Sequence, residues 1–105
     1  MFTLMIINKI HWLGVGLSSP PGILYLNDQR YDLIVWNRSV DKAKSLLKNK
    51  INVNQLDISS LSKKLDRNDL IVSMLPTSMH LEIAELAIKY KCHFVTSSYY
   101  DPKYK

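Results

Sequence analysis

Short apolar runs alternate along the chain with stretches of helical spacing. From Met5 to Leu13 the residues are mostly Ile, Met, Trp and Leu, which predicts a first strand. Ser19 then precedes Pro20 and Pro21. Prolines are tolerated in a first helical turn because its N–H groups have no helical partners. A helix over about Pro20 to Asp28 follows, with Ser19 as N-cap and Ile23, Leu24 and Leu26 inward. Gln29 and Arg30 return the chain to a second strand, Asp32 to Trp36. Ser39 caps a second helix, with Asp41 in its first turn and Val40, Ala43, Leu46 and Leu47 along one side, ending near Asn49. Asn52 to Leu56 is a weaker third strand, and Ser59 to Leu65 a short helix or turn carrying Leu61 and Leu65. Asp69 to Leu75 reads as the clearest buried strand, ended by Pro76. From about Ser78 to Lys91, Met79, Ile83, Leu86, Ala87 and Tyr90 recur at helical spacing, capped by Thr77 or Ser78, with Glu85 and Lys89 placed to pair outside. His93 to Thr96 makes a fifth strand.

Strict strand–helix alternation with continuous apolar strands predicts an α/β protein whose parallel sheet is covered on both faces. Right-handed crossovers and a crevice where the strand order reverses give a Rossmann-like three-layer sandwich, five parallel strands in the order 3-2-1-4-5. At 105 residues, 47% hydrophobic and 22% charged, residues 1–105 form one domain with one modest core.

Charge and cysteine usage narrow the partners. The net charge is +5, but the basic residues are dispersed, and Lys42, Lys44, Lys48 and Lys50 read as a solvated helix face. No nucleic-acid module is recognisable, so a nucleic-acid partner is not expected, whereas the positive field favours a phosphorylated ligand. Cys92 is the single cysteine, which rules out an intramolecular disulfide and points to a cytoplasmic setting with an inert, buried thiol. No apolar run reaches the roughly 18 residues that span a bilayer, and the N-terminus lacks the basic leader of a signal peptide, so no membrane association is expected. Phe94, Val95, Tyr99 and Tyr100 cluster at one sheet edge and predict a homo-oligomer.

The chemistry concentrates between Ile10 and Gly22, IHWLGVGLSSPPG. Gly14 suits a tight turn out of the strand, and Gly16 would let a diphosphate approach the backbone without meeting a Cβ; Ser19 holds the third slot. An ordinary strand-to-helix turn fits the same residues. At the end of the second strand, where an NAD site carries an acid, Asn37, Arg38 and Ser39 stand instead. A 2′-phosphate would meet no repulsion there and would gain the Arg38 guanidinium, with Ser39 and Lys42 nearby. The alternative is a solvated arginine after a strand. Asp57 and Ile58 either flank an adenine or begin a helix with Asp57 as cap. Ser73 to Thr77 leaves the fourth strand where a nicotinamide would lie, or simply enters a helix. His80 reads as structural or solvated, and no catalytic or metal-binding residue is assigned.

The segments GVGLSSPP, VWNRSVDKA, QLDISSL, DLIVSMLPTSMH and FVTSSYYDP, in this order, resemble the amino-terminal NADP-binding domain of the saccharopine dehydrogenase family, particularly its saccharopine reductase and carboxynorspermidine dehydrogenase branches. The resemblance runs from about Lys9 to Pro102. It implies NADP as cofactor, with Gly14, Gly16, Leu17 and Ser18 at the pyrophosphate and Asn37, Arg38 and Ser39 at the adenosine phosphate. It also implies Asp57 and Ile58 at the adenine, and Leu75, Pro76, Thr77, Ser97, Ser98 and Tyr99 near the ribose and nicotinamide. The implied activity is hydride transfer at an imine or secondary amine joining two amino acids, without turnover by the isolated domain. The chain departs from the family in its consecutive prolines and in stopping before a carboxy-terminal substrate domain, an expected partner. A stand-alone nucleotide-binding regulatory module and a decayed structural remnant are the other readings the residues leave open.

Overall fold

The computed structural model describes residues 7–96. Strand β1 (Ile10–Leu13) is central, and all four of its residues are buried. It is followed by α1 (Pro20–Asp28), β2 (Leu33–Asn37), α2 (Val40–Leu46), β3 (Val53–Gln55), α3 (Ile58–Lys64) and β4 (Leu70–Ser73). A 3₁₀ turn (Thr77–Met79), α4 (His80–Tyr90) and β5 (His93–Thr96) complete the described chain. The strands are parallel in the order β3-β2-β1-β4-β5, as the alternation predicted.

Alternation along β1 builds two cores. Trp12 joins Val15, Ile23, Val35, Ala43, Leu47 and Val53 under α1 and α2. Leu13 joins Trp36, Leu61, Leu65, Ile71, Ile83 and Ala87 under α3 and α4. β1 and β2 bury residues on both faces because helices cover both sides, which explains the absence of polar alternation along them.

Several expected boundaries move. The first strand starts at Ile10 rather than Met5, because its neighbours begin opposite, at Leu33 and Leu70; Met5 and Ile6 lie outside the described residues. Asn8 and Lys9 instead bind the loop before β4, through Asn8 N–H to Asn68 O at 3.1 Å and Lys9 Nζ to Asp66 and Asp69. Ser19 holds the N-cap position, its carbonyl accepting from Ile23 N–H at 3.2 Å, but its side chain caps no helix amide. Its backbone is already helical (φ −77°, ψ −36°), and Pro21 leaves no amide at the second helical position for a cap to satisfy. In α1 only Ile23 is fully buried, while Leu24 and Leu26 are half-buried. Ser39 does cap α2, accepting from Lys42 N–H. Neither Thr77 nor Ser78 caps α4, because Pro76 directs the chain into the 3₁₀ turn first. Glu85 and Lys89 form no ion pair among the described residues; Lys89 Nζ lies 5.5 Å from the Tyr90 ring centroid.

Candidate functional site: a cleft at the carboxyl edge of the sheet

The chain leaves β1 toward β2 on one side and reaches β4 on the other, so the carboxyl ends of β1 and β4 diverge into a crevice. A cleft of about 340 Å³ opens there. It is lined by Gly14, Val15 and Gly16 after β1, Asn37 and Arg38 at β2, and Leu56, Asp57 and Ile58 after β3. Met74, Leu75 and Pro76 after β4 and Met79 complete it.

Gly14 has φ +94°, and a Cβ there would lie 3.3 Å from the Met74 backbone carbon, so both conformation and space require glycine. Gly16 is different, for nothing lies within 4 Å of its Cβ position. Protein packing does not explain that glycine. Gly22 supplies the close helix–strand contact that the glycine pattern led one to seek at residue 19, since its Cβ position is 3.1 Å from Trp12 Cη2.

The loop after β1 is tied down by its own hydrogen bonds. Val15 N–H donates to Asn37 Oδ1 at 3.0 Å, and Gly16 N–H to Ser19 Oγ at 3.1 Å. Asn37 Nδ2 donates to Ser39 O at 2.8 Å, so this side chain ties the β1 loop to the entry of α2. Arg38 is exposed at the cleft mouth, with Nη2 3.9 Å from Met79 Sδ, and makes no salt bridge among the described residues. Asp57 caps α3, accepting from Ser60 N–H and Ser60 Oγ–H at 2.8 Å each. The Ser60 amide holds its carboxyl below the ordinary carboxylate range, so Asp57 is charged at neutral pH. The expected cap is formed, and the capping residue also lines the cleft.

On the β4 side, His80 Nε2 lies 3.0 Å from Leu75 O and 2.9 Å from Thr96 Oγ1. A carbonyl oxygen only accepts, so Nε2 carries the proton and fastens the loop after β4 to the end of β5. His80 is structural here.

Of the residues expected at a cofactor, the cleft gathers Gly14, Gly16, Asn37, Arg38, Asp57, Ile58, Leu75 and Pro76. Leu17, Ser18, Ser39 and Thr77 are exposed beside it without lining it, and Ser97, Ser98 and Tyr99 lie outside the described residues. Val15, Leu56, Met74 and Met79 line it without having been singled out. Met79, whose spacing fits the apolar face of a helix, instead ends the 3₁₀ turn and lines the cleft.

A parallel sheet in this order, with a glycine turn and a crevice at the strand reversal, defines a nucleotide-binding domain of the Rossmann type. The chain belongs to the saccharopine dehydrogenase NADP binding domain family, whose profile matches residues 10–105, and NADP is the cofactor of this class. It is 34% identical over 96 residues to the NADP(+)-dependent, L-glutamate-forming saccharopine dehydrogenase of Saccharomyces cerevisiae, covering 86% of this chain and 21% of the yeast protein. The enzyme of the same description from Pyricularia oryzae is 28% identical over 103 residues, covering 93% of this chain and 23% of the relative. Among solved structures, the apo form of the L-Glu-forming yeast enzyme superposes with a TM-score of 0.71 at 32% identity, over 90% of this chain and 22% of that one. A UDP-N-acetylglucosamine 3-dehydrogenase from Acidithiobacillus ferrooxidans, 19% identical with a TM-score of 0.62 over 88% of this chain and 30% of that one, shares the fold. The chain thus spans between a fifth and a quarter of the length of its saccharopine dehydrogenase relatives.

Proposed function

We propose that this chain is the NADP(H)-holding part of an oxidoreductase acting on a C–N bond between two amino acids, and that it does not turn over alone. The observation that carries the reading is the end of β2, where the neutral Asn37 is followed by Arg38 at the cleft mouth. A carboxylate there would repel a 2′-phosphate, whereas a guanidinium can bind two of its oxygens. Gly16 leaves room beside the loop, Leu56 and Ile58 offer apolar walls to an adenine, and Asp57 accepts hydrogen bonds at its edge. Leu75, Pro76 and Thr77 border the ribose and nicotinamide end, held by His80. The bound cofactor supplies the hydride. Groups that bind the amino-acid substrate belong, on this reading, to polypeptide beyond these 105 residues, as the greater length of the relatives suggests. The domain self-associates through the α4–β5 side and works in the cytoplasm, in keeping with its free, half-buried Cys92.

Calorimetric titration with NADPH and NADH tests this. NADPH is expected to bind in preference to NADH, and Arg38→Ala to weaken NADPH by about tenfold to a hundredfold while leaving NADH nearly unchanged, the range of a lost charge-assisted hydrogen bond. Equal affinity for the two cofactors in the wild type, or an Arg38→Ala chain indifferent to the 2′-phosphate, would sink the reading.

A further inference from the structure

Phosphate binding at the start of a helix depends on free backbone N–H groups, and along this loop few are free. Gly14 N–H donates to Trp36 O at 2.9 Å, Val15 N–H to Asn37 Oδ1 at 3.0 Å and Gly16 N–H to Ser19 Oγ at 3.1 Å. Ser19 N–H turns back to Gly16 O at 3.2 Å. Pro20 and Pro21 occupy the first two positions of α1 and have no N–H at all. Among the described residues, only the amides of Leu17, Ser18 and Gly22 in this stretch are left without an acceptor. No basic side chain lies between Gly14 and Gly22 to compensate.

The other end of the cleft is better equipped. Arg38 holds a guanidinium at the mouth whose contact is a thioether at 3.9 Å, a weak partner that a phosphate would displace. Leu56 and Ile58, half-buried, line the wall beside it.

We infer that this cleft grips its ligand by the 2′-phosphoadenosine half, that the pyrophosphate adds little affinity, and that the consecutive prolines are the cause. The inference rests on the NADP reading above and adds where along the dinucleotide the binding free energy arises. A ligand carrying adenosine and a 2′-phosphate, with no diphosphate, is therefore a sufficient occupant.

The test is a calorimetric comparison of NADP+ with adenosine 2′-monophosphate on the 105-residue chain, repeated on Pro20→Ala/Pro21→Ala. In the wild type the nucleotide fragment is expected to bind within about thirtyfold of NADP+, a small gap for a molecule that has lost its diphosphate and a second nucleoside. The double variant, with two helix-start amides restored, is expected to bind NADP+ about tenfold more tightly and the fragment as before. A wild-type preference for NADP+ beyond that gap would overturn the inference while leaving the NADP reading intact. Binding of neither compound would overturn both. The wild-type comparison stands on its own if the variant does not fold; if it folds and gains nothing for NADP+, the prolines are not the cause.

Discussion

The indole N–H of Trp36 can only donate, so its 3.1 Å contact with His11 Nδ1 requires that nitrogen to accept. The proton of neutral His11 therefore sits on Nε2, which donates to Asp69 Oδ2 at 2.9 Å. Both His11 and Asp69 are fully buried. Burial lowers the His11 pKa from its ordinary 6.5, outweighing the opposing pull of Asp69, and a second proton would face the Trp36 N–H. Burial alone would raise the Asp69 carboxyl, but hydrogen bonds from Asp66 N–H, His11 and Lys9 bring it below 3.8. The signs then fix a pH profile. Unfolded His11 takes up a proton below about 6.5 and the folded one resists, so stability falls as pH drops from 6.5 toward the lower folded value. Asp69 adds a second loss below 3.8, as pH falls through its lowered folded value. Urea unfolding at pH 7.5 and 5.0 should show a loss of at most about 2 kcal/mol from His11. His11→Gln, which keeps one donor and one acceptor without titrating in this range, should flatten that difference even if it is less stable at pH 7.5. An unchanged slope would remove His11 as its source. None of this was legible in the sequence, where His11 is one polar residue in an apolar run. Its partners stand 25 and 58 residues away, and only the strand register unites them.

At the scale of elements, patterns that depend on neighbours in sequence were readable, and those that depend on neighbours in space were not. The span of α1, from Pro20 to Asp28, follows from the prolines at its start, and β5 from His93 to Thr96 from its apolar run. The role of Gly22 was hidden, because a glycine in a helix looks like a weakness until Trp12 is placed beneath it. Trp12 cannot give way easily, being 6% exposed with its indole N–H bound to Gly14 O at 2.9 Å. Gly22→Ala consequently sets two effects against each other. Helix propensity favours alanine by up to about 1 kcal/mol, while overpacking a well-ordered core costs about 1–3 kcal/mol. The steric cost should prevail, with a net destabilisation of about 1 kcal/mol in chemical denaturation. A more stable variant would mean that α1 rides over Trp12 without resistance.

The strand order of the whole molecule was legible because strict alternation, right-handed crossovers and short connections leave few other arrangements. Its cleft was legible to the extent that strand ends were, so Gly14, Arg38 and Asp57 were foreseen while Met79, brought in by a turn, was not. What the molecule presents to others depends on surface that a periodicity argument leaves blank. Leu81 and Ile88, two turns apart on α4, are 72% and 78% exposed, and Val95 on the neighbouring edge strand β5 is 54% exposed. Val95 lies on the sheet face away from α4, so these side chains form no single patch, but each exposed apolar group favours association, and the β5 edge adds unpaired backbone groups to it. A net charge of +5 opposes the meeting of two copies. Salt decides between these effects, since the repulsion is screened over about 3 Å at 1 M against roughly 10 Å at 0.1 M, while apolar burial is not weakened. Sedimentation velocity should therefore show a concentration-dependent dimer or larger species that grows as salt is raised from about 0.05 to 0.5 M, within the range where screening tightens. Ile88→Lys should return the chain to monomer without altering its circular dichroism. A monomer at every concentration and salt level would show that the α4–β5 side is not self-complementary.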